Sequence, residues 1–135
     1  MTIAYAWRGT FDSSEVNGLH ADAFEHEMYD KAAWDWWALV GSHSLGWVTA
    51  RQSGALVGFV NIPWDGFIHA WIQDVMVLTT HRNLGIGTEL VSRATAHVRN
   101  AGCEWLHVDF DDDLAPFYID ACGFKSSQAG LISLV

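Results

Sequence analysis

The 135-residue sequence has only two cysteines and two prolines. Cys103 and Cys122 are too few for the disulfide framework of a small secreted domain, and neither stands at a spacing typical of metal ligands. We therefore expect both thiols to be reduced and structural. No pair of histidines has a spacing typical of zinc ligands either, so the sequence predicts no metal site.

Basic residues are also scarce. Seven Lys and Arg stand against 16 Asp and Glu, which gives a formal net charge of -9. Proteins that bind nucleic acids neutralise phosphates with clustered Lys and Arg, so this composition argues against such a partner. A cationic partner fits the charge better.

Long hydrophobic runs are absent, although 50% of the residues are hydrophobic. The apolar runs have the length of strands, as in Val57-Gly58-Phe59-Val60, so we predict neither a membrane span nor a signal peptide. The length is close to the commonest domain size, and no linker, repeat or low-complexity tract divides the chain. We expect a single domain over residues 1–135, located in the cytoplasm.

The segment from Val75 to Val91 is the most informative part of the chain. An apolar strand runs into Arg82-Asn83-Leu84-Gly85-Ile86-Gly87, and an amphipathic helix follows. Two glycines let the backbone approach a ligand closely, and the free N–H groups of the first helical turn favour an anion. The segment therefore predicts a site for a pyrophosphate, with Arg82 as an additional cation.

Three classes of nucleotide site use such a turn, and the exact residues discriminate between them. A P-loop requires Lys and then Ser or Thr after its last Gly, whereas Thr88 and Glu89 follow Gly87. A dinucleotide-binding turn requires a third Gly where Leu90 stands. A pyrophosphate carrier with fewer demands, such as coenzyme A, remains.

Arg82 to Gly87 resembles the acetyl-CoA-binding signature of the GNAT superfamily of N-acetyltransferases, which is (Gln/Arg)-x-x-Gly-x-(Gly/Ala). A second segment, Phe117 to Phe124, resembles that family's helix that carries Tyr and ends in Gly-Phe. The order and separation of the two segments match as well, and the resemblance is closest over about residues 45 to 135. It implies acetyl-CoA as the cofactor and direct transfer of the acetyl group to a primary amine.

The resemblance also implies a fold of the α/β (mixed α+β) class. The expected sheet is mixed and mostly antiparallel, with about six or seven strands and about four flanking helices, and it is splayed between the strands 67–78 and 104–110. The residue pattern predicts further strands over 3–8, 45–51, 55–62 and, as one or two strands, 124–135. It predicts helices from 13 to about 23, within 24–44 and ending near Gly41, over 85–100 and over 114–122.

The cofactor-binding residues follow from the resemblance. It implies that backbone groups near Met76 and Val77 hold the pantetheine and the thioester, and that the amides from Asn83 to Thr88 take the pyrophosphate. The predicted set is Met76, Val77, Arg82, Asn83, Leu84, Gly85, Ile86, Gly87 and Thr88.

The resemblance also makes Tyr118 the candidate general acid for the departing thiolate. The family places this Tyr four residues before the Gly, whereas Tyr118 lies five residues before Gly123. One residue is about 100° of an α-helix, so the match requires a longer or irregular helix end. The alternative is a tyrosine at the edge of the core with its hydroxyl in water.

Asp74 and Asp109 are the candidate bases, because both fall on strands that should flank the cleft. Strict alternation places Asp74 on the same face as Ile72 and Met76. There it either faces the site or pairs with a backbone group or a cation on the sheet.

The acceptor side is predicted from charge and aromatic content. Glu27, Trp34 and Trp37, together with Asp109, could bind a cation through carboxylates and cation-π contacts. A buried Trp cluster beside a solvated acidic face is the alternative. The predicted acceptor is a small cationic amine such as a polyamine, an amino sugar or a lysine-like compound.

Other functions remain open at this stage. An acyl-CoA-binding sensor without turnover, an acetyltransferase acting on protein N-termini or lysines, and a partner-binding domain built on the eight Trp are alternatives. Exposed aromatic surface would also suit a homodimer.

Overall fold

One five-stranded sheet organises the structure, which is a computed structural model describing residues 2–135. The strands are β1 (Ala4–Trp7), β2 (Ser44–Gln52), β3 (Ala55–Pro63), β4 (His69–Val77) and β5 (Trp105–Val108). They lie in sequence order across the sheet, and neighbours are antiparallel except β4 and β5, which are parallel. The mixed, mostly antiparallel sheet confirms the predicted fold class.

Four helices flank the sheet: α1 (Ser13–Phe24), α2 (Trp36–His43), α3 (Ile86–Asn100) and α4 (Pro116–Ala121). Their number is as expected, but the helix predicted within 24–44 occupies only the end of that range. Glu25 ends α1 in the left-handed region with φ 56°, and the Asp35 side chain caps α2 by accepting from the Ala38 N–H. A cap at Asp35 makes Trp36 the first residue of α2.

The sheet carries a hydrophobic core on each face. On one face α3 packs its buried side chains, including Leu90 and Val91, against Val60 and Ile72. On the other face α1 and α2 cover a second set of buried side chains: Val16, Leu19, Trp36, Val40, Trp47, Phe59 and Met76. Each fully buried aliphatic or aromatic side chain contributes roughly 1.5–3 kcal/mol. The two cores therefore fix the helix ends that surround the site.

A β-bulge interrupts β4. Asn61 lies opposite Gln73 and Phe59 lies opposite Met76, so β4 uses one residue more than β3 across this interval. The extra residue reverses which face the next side chains occupy. Ile72 therefore packs on the α3 side and Met76 on the α1 side, and the prediction that they share a face was wrong.

The sheet splays between β4 and β5, as predicted. The two strands pair only where His69 to Ile72 lie beside Trp105 to Val108. Beyond these residues the edge of β4 that faces β5 has no strand beside it. The separation opens a cleft at the C-terminal ends of both strands.

The predicted strands over 124–135 are absent from the described structure, so the sheet has five strands and not six or seven. Leu131, Ile132 and Leu134 are 80–91% exposed. Apolar and β-branched composition favours a strand only where one face of the strand can be buried, and these side chains are exposed.

Three further observations concern residues 2–135. None of their helices combines the length and the apolar character needed to cross a bilayer. No group of three or more His, Cys, Asp and Glu side chains in this part of the chain is arranged to hold a metal ion. Cys103 and Cys122 are free, half-buried thiols.

Candidate active site

The cleft contains two adjoining cavities. The first, of about 570 Å³, lies at the start of α3 and is called the α3 cavity. The second, of about 610 Å³, lies beside Asp74 and is called the carboxylate cavity. Phe24, Val75, Leu114 and Tyr118 line both cavities, so the two spaces share a wall.

The polar lining of the α3 cavity comes from the turn before α3. Asn83 and Gly85 adopt left-handed conformations with φ 63° and 82°, and α3 begins at Ile86. No side chain caps this helix start. The first N–H groups of α3, including those of Gly87 and Thr88, thus have no intrahelical partner and lie at the cavity with the positive end of the helix dipole.

Gly87 is required for close packing. A Cβ atom at this position would lie 3.2 Å from two ring atoms of Phe117 on α4. That separation is tighter than an ordinary van der Waals contact, so glycine lets α4 approach the first turn of α3. The two helices together close the α3 cavity.

Three hydrogen bonds tie the end of α1 to the segment after β4. The Arg82 Nη2 donates to the Ala23 carbonyl at 2.8 Å. The Thr79 N–H and hydroxyl donate to the Asp22 carboxylate at 2.9 and 3.2 Å. The ties place Phe24, the last residue of α1, between the two cavities.

Most of the residues predicted to bind the cofactor line the α3 cavity. They are Val77, Arg82, Asn83, Gly85, Ile86, Gly87 and Thr88. Two predicted residues do not line it: the Met76 side chain is buried in the α1 and α2 core, and the Leu84 side chain is 54% exposed. Met76 borders the open edge of β4 through its backbone and not through its side chain.

The carboxylate cavity carries three acidic side chains. Asp74 comes from the bulge of β4, and Asp109 and Asp111 follow β5. No Lys or Arg among residues 2–135 lines this cavity. Burial raises the pKa of the Asp74 carboxyl, and a contact with the Asn61 side chain opposes the rise.

Tyr118 stands in the wall between the cavities. Its ring stacks on Phe110 with centroids 5.0 Å apart and meets Phe117 edge-on at 4.8 Å. Burial raises the pKa of Tyr118 to about 12. No buried side-chain oxygen or nitrogen in residues 2–135 lacks a hydrogen-bond partner, and Tyr118 donates to none of these residues, so its hydroxyl opens into the cleft.

The geometry of α4 accounts for the unusual position of Tyr118 in the sequence. The Cys122 N–H donates to the Phe117 carbonyl at 2.9 Å, a separation of five residues that defines a π-helical turn. Such a turn holds one residue more than an α-helical turn. Tyr118 therefore lies at the cleft although it precedes Gly123 by five residues and not four.

The predicted aromatic wall lies elsewhere. Within the part of the chain that the structure describes, Glu27, Trp34 and Trp37 line neither cavity. Trp34 stacks on Trp36 at 5.8 Å, and Trp37 meets Trp47 edge-on at 5.6 Å. Of the four predicted acceptor residues, the structure brings only Asp109 into the cleft.

Sequence reasoning missed several lining residues. Phe24, Leu114, Phe117 and the segment 129–131 reach the cleft through packing that no local pattern reveals. Asn61 lines neither cavity but contacts Asp74, and its importance could have been detected in the sequence. It is the one polar side chain in the otherwise apolar strand from Ala55 to Pro63.

Solved structures of acetyltransferases share this fold. A GNAT family acetyltransferase from Streptococcus pneumoniae is 22% identical with a TM-score of 0.79, over 99% of this chain and 98% of that one. An acetyltransferase from Trypanosoma brucei is 17% identical with a TM-score of 0.82, over 99% and 100%. AAC(6')-Iy, solved with the bisubstrate analog CoA-S-monomethyl-acetylneamine, is 15% identical with a TM-score of 0.74, over 98% and 97%.

Sequence comparison gives the family directly. No curated protein sequence matches the chain significantly. The model of the acetyltransferase (GNAT) family matches residues 7–124, a span that includes both cavities' strands and helices α1 to α4. The chain therefore belongs to the GNAT family and is an acyltransferase of the N-acetyltransferase type.

Proposed function

We propose that this protein transfers an acetyl group from acetyl-CoA directly to a primary amine of a small cationic acceptor. One observation carries the proposal: Tyr118 lies in the wall shared by a cavity with free helix N–H groups and a cavity with three carboxylates. The first cavity suits an anionic pyrophosphate and the second suits an ammonium group.

The residues of the α3 cavity fit acetyl-CoA, which GNAT acetyltransferases use. Its volume lies in the range of about 300–1,000 Å³ for small-molecule sites. The amides from Asn83 to Thr88 would hold the pyrophosphate, with Arg82 as the nearby cation. When bound, acetyl-CoA supplies the activated acetyl group.

The backbone of Met76 and Val77 is our candidate for holding the pantetheine arm. β4 has no paired neighbour on its β5 side beyond Ile72, so backbone groups on that edge are available to a ligand. An N–H group there would polarise the thioester carbonyl by donating to its oxygen.

Tyr118 would assist departure of the thiolate. A pKa of about 12 keeps its hydroxyl protonated at neutral pH. A thiol of ordinary acidity has a pKa of about 8.5, so complete proton transfer would be uphill by roughly 5 kcal/mol. We therefore expect Tyr118 to stabilise the thiolate by donating a hydrogen bond.

Asp74 would accept the proton that the acceptor ammonium must lose. Burial raises the pKa of its carboxyl toward neutrality, where a general base is most effective. Asp109 would attract the cationic acceptor from the outer part of the same cavity. Glu27, Trp34 and Trp37 lie outside it, and we propose them only as contacts for the distal part of a long acceptor.

The acceptor class follows from the charge of the carboxylate cavity. Three carboxylates, with no lining Lys or Arg within residues 2–135, favour an acceptor with more than one amine, such as a polyamine, an amino sugar or a lysine-like compound. The bisubstrate analog in AAC(6')-Iy supports the amino-sugar class. An acceptor that carries a phosphate would meet repulsion here.

The test measures free thiol released from acetyl-CoA and the mass of the acetylated product. The panel contains spermidine, neamine, lysine amide, glucosamine 6-phosphate and peptides with a free N-terminus. We expect turnover of the cationic amines and little of the phosphate ester. Binding of acetyl-CoA without thiol release would favour the sensor, and turnover of peptides alone would favour a protein acetyltransferase.

The cellular setting is part of the proposal. Acetyl-CoA supply makes the cytoplasm the expected location. The exposed side chains of Leu131, Ile132 and Leu134 would suit a homodimer, which sedimentation analysis of the purified protein would detect.

A further inference from the structure

Asn61 is a buried polar residue beside the cleft. It is 3% exposed and lies between Trp47 on β2 and Gln73 on β4. A buried polar group that lacks hydrogen bonds destabilises the fold, so the partners of Asn61 determine whether a polar residue is tolerated at this position.

The Asn61 amide is oriented by Ser44. The Ser44 hydroxyl donates to Asn61 Oδ1 at 2.5 Å. Because the carbonyl oxygen of the amide faces Ser44, its NH₂ group is directed to the other side. There the Asn61 side chain contacts the Asp74 carboxyl and favours its charged form.

Asp74 occupies a strained backbone position. Its φ is 58°, a left-handed conformation that is strained for a residue other than glycine. It lies directly after Gln73, the partner of Asn61, and inside the bulge of β4. Surrounding contacts must hold such a conformation, and the Asn61 amide is the buried polar group placed to do so.

We propose that Ser44 and Asn61 form a positioning pair that holds the Asp74 carboxylate toward the amine in the carboxylate cavity. The inference rests on the proposed function, because it takes Asp74 as the base. Ser44 and Asn61 touch neither ligand and act only through Asp74.

The pair has a defined chemical task. In the step it supports, an N–H bond of the acceptor ammonium breaks and an O–H bond forms on Asp74, which leaves a neutral amine and a neutral carboxyl. The Asn61 side chain contacts the carboxyl of Asp74, which itself lines the carboxylate cavity, so the pair would hold that carboxylate where the ammonium group binds. It also keeps the pKa of Asp74 below the value that burial alone would give.

The first test needs no substrate. The pKa of Asp74 is measured by carboxyl NMR titration in the native protein, Asn61→Ala, Ser44→Ala and Ser44→Thr. We expect a rise of about one unit in Asn61→Ala, a smaller rise in Ser44→Ala and a native value in Ser44→Thr, which keeps the hydroxyl.

Thr49→Ala is the matched control. Thr49 is another buried hydroxyl residue of β2, and its only described side-chain bond is a long one of 3.5 Å to the Ala6 carbonyl, away from the cleft. It should lower stability without moving the pKa of Asp74. If Asn61→Ala does not fold, the two Ser44 variants still decide the question.

The second test uses the pH profile of kcat/KM for a cationic amine. In Asn61→Ala the acidic limb of this profile should move to higher pH by about one unit, the same amount as the pKa of Asp74. The kcat should fall about 10-fold, while KM for acetyl-CoA stays constant. An unchanged pKa of Asp74 in both Asn61→Ala and Ser44→Ala, or an equal shift in Thr49→Ala, would overturn the proposal. If the pKa of Asp74 shifts in the variants but the native protein turns over no amine, the positioning pair stands and the proposed function is rejected.

Discussion

The two cavities of the cleft are built in different ways. The α3 cavity takes most of its polar lining from one continuous segment, residues 81–88, which includes free backbone N–H groups, and Tyr118 adds a hydroxyl. The carboxylate cavity gathers side chains from the end of α1, β4, the segment after β5, α4 and the C-terminal segment. A site made of consecutive residues leaves a readable motif, whereas one assembled across the fold does not.

Their charges differ as well. The α3 cavity has Arg82 and the free N–H groups of α3, and no Asp or Glu of the described residues lines it. The carboxylate cavity has three Asp, and none of the Lys and Arg residues that the structure describes lines it. This division of charge fits the proposed transfer from an anionic donor to a cationic acceptor, in which the reacting atoms would meet where the cavities adjoin.

The largest effect is expected at the wall between the cavities. Tyr118→Phe removes only the hydroxyl and keeps the ring contacts with Phe110 and Phe117. We expect kcat to fall about 10²–10³-fold, with KM for acetyl-CoA nearly unchanged, because a hydrogen-bond donor to the developing thiolate is lost. Steady-state kinetics measures this, and a melting temperature equal to that of the native protein is the control. A native kcat would remove Tyr118 from the mechanism.

The next effect belongs to the α3 cavity alone. Arg82→Met removes the nearby cation and its bond to the Ala23 carbonyl. The dissociation constant for acetyl-CoA should rise about 10-fold while KM for the amine is unchanged. Arg99→Met, at the opposite end of α3, is the control and should bind normally. Equal losses in both variants would indicate a general charge effect.

A smaller effect belongs to the carboxylate cavity alone. Asp109 and Asp111 are exposed, so solvent screens them and each contributes about 1 kcal/mol or less to cation binding. Asp109→Asn and Asp111→Asn should each raise KM for spermidine up to about 5-fold and leave acetyl-CoA binding intact. An equal rise with a neutral amine would show that the charge is not the cause. Asp120→Asn, outside both cavities, is the matched control.

The smallest effect is a pH dependence of stability near the end of α1. Burial lowers the pKa of His20, and the neighbouring His26 lowers it further. The His26 Nε2 lies 2.5 Å from the His20 Nδ1. His20 therefore binds a proton more readily in the unfolded chain than in the folded one. Its contribution to the free energy of unfolding is complete above a pH of about 6.5 and is lost as the pH falls below that value. Urea unfolding at pH 7.5 and 5.5 should show a loss below about 1 kcal/mol that His20→Gln reduces. If His20→Gln loses as much unfolding free energy between pH 7.5 and 5.5 as the native protein, the loss belongs to other titrating groups.

The sequence predicted the parts of the fold that depend on local patterns. The glycine turn, a helix that begins within one residue of the predicted Gly85, and the strands on either side of Gly54 follow from residue spacing and turn chemistry. The splay between β4 and β5 came from the family resemblance, whereas their parallel pairing and its end at Ile72 emerge only from the structure. These features determine the α3 cavity, so most of its lining was predictable.

The remainder depends on contacts between distant residues. The bulge at Asp74 appears only when β4 is paired with β3, and a one-residue insertion then reverses the alternation on which the prediction relied. The π-helical turn around Tyr118 depends on packing against α3 and β5. Trp34 and Trp37 resemble an acceptor wall in composition, but their neighbours in space are Trp36 and Trp47.

Calorimetric binding of acetyl-CoA tests the central claim most directly. Gly85→Asp places a carboxylate where the pyrophosphate should lie, and Gly54→Asp is its matched control in the hairpin between β2 and β3. Both glycines have left-handed φ values, 82° and 85°, with open space around them, so the backbone strain is alike. We predict binding by the native protein and by Gly54→Asp, and a loss of about 100-fold or more in Gly85→Asp. No binding by the native protein, or equal binding by both variants, would contradict the account.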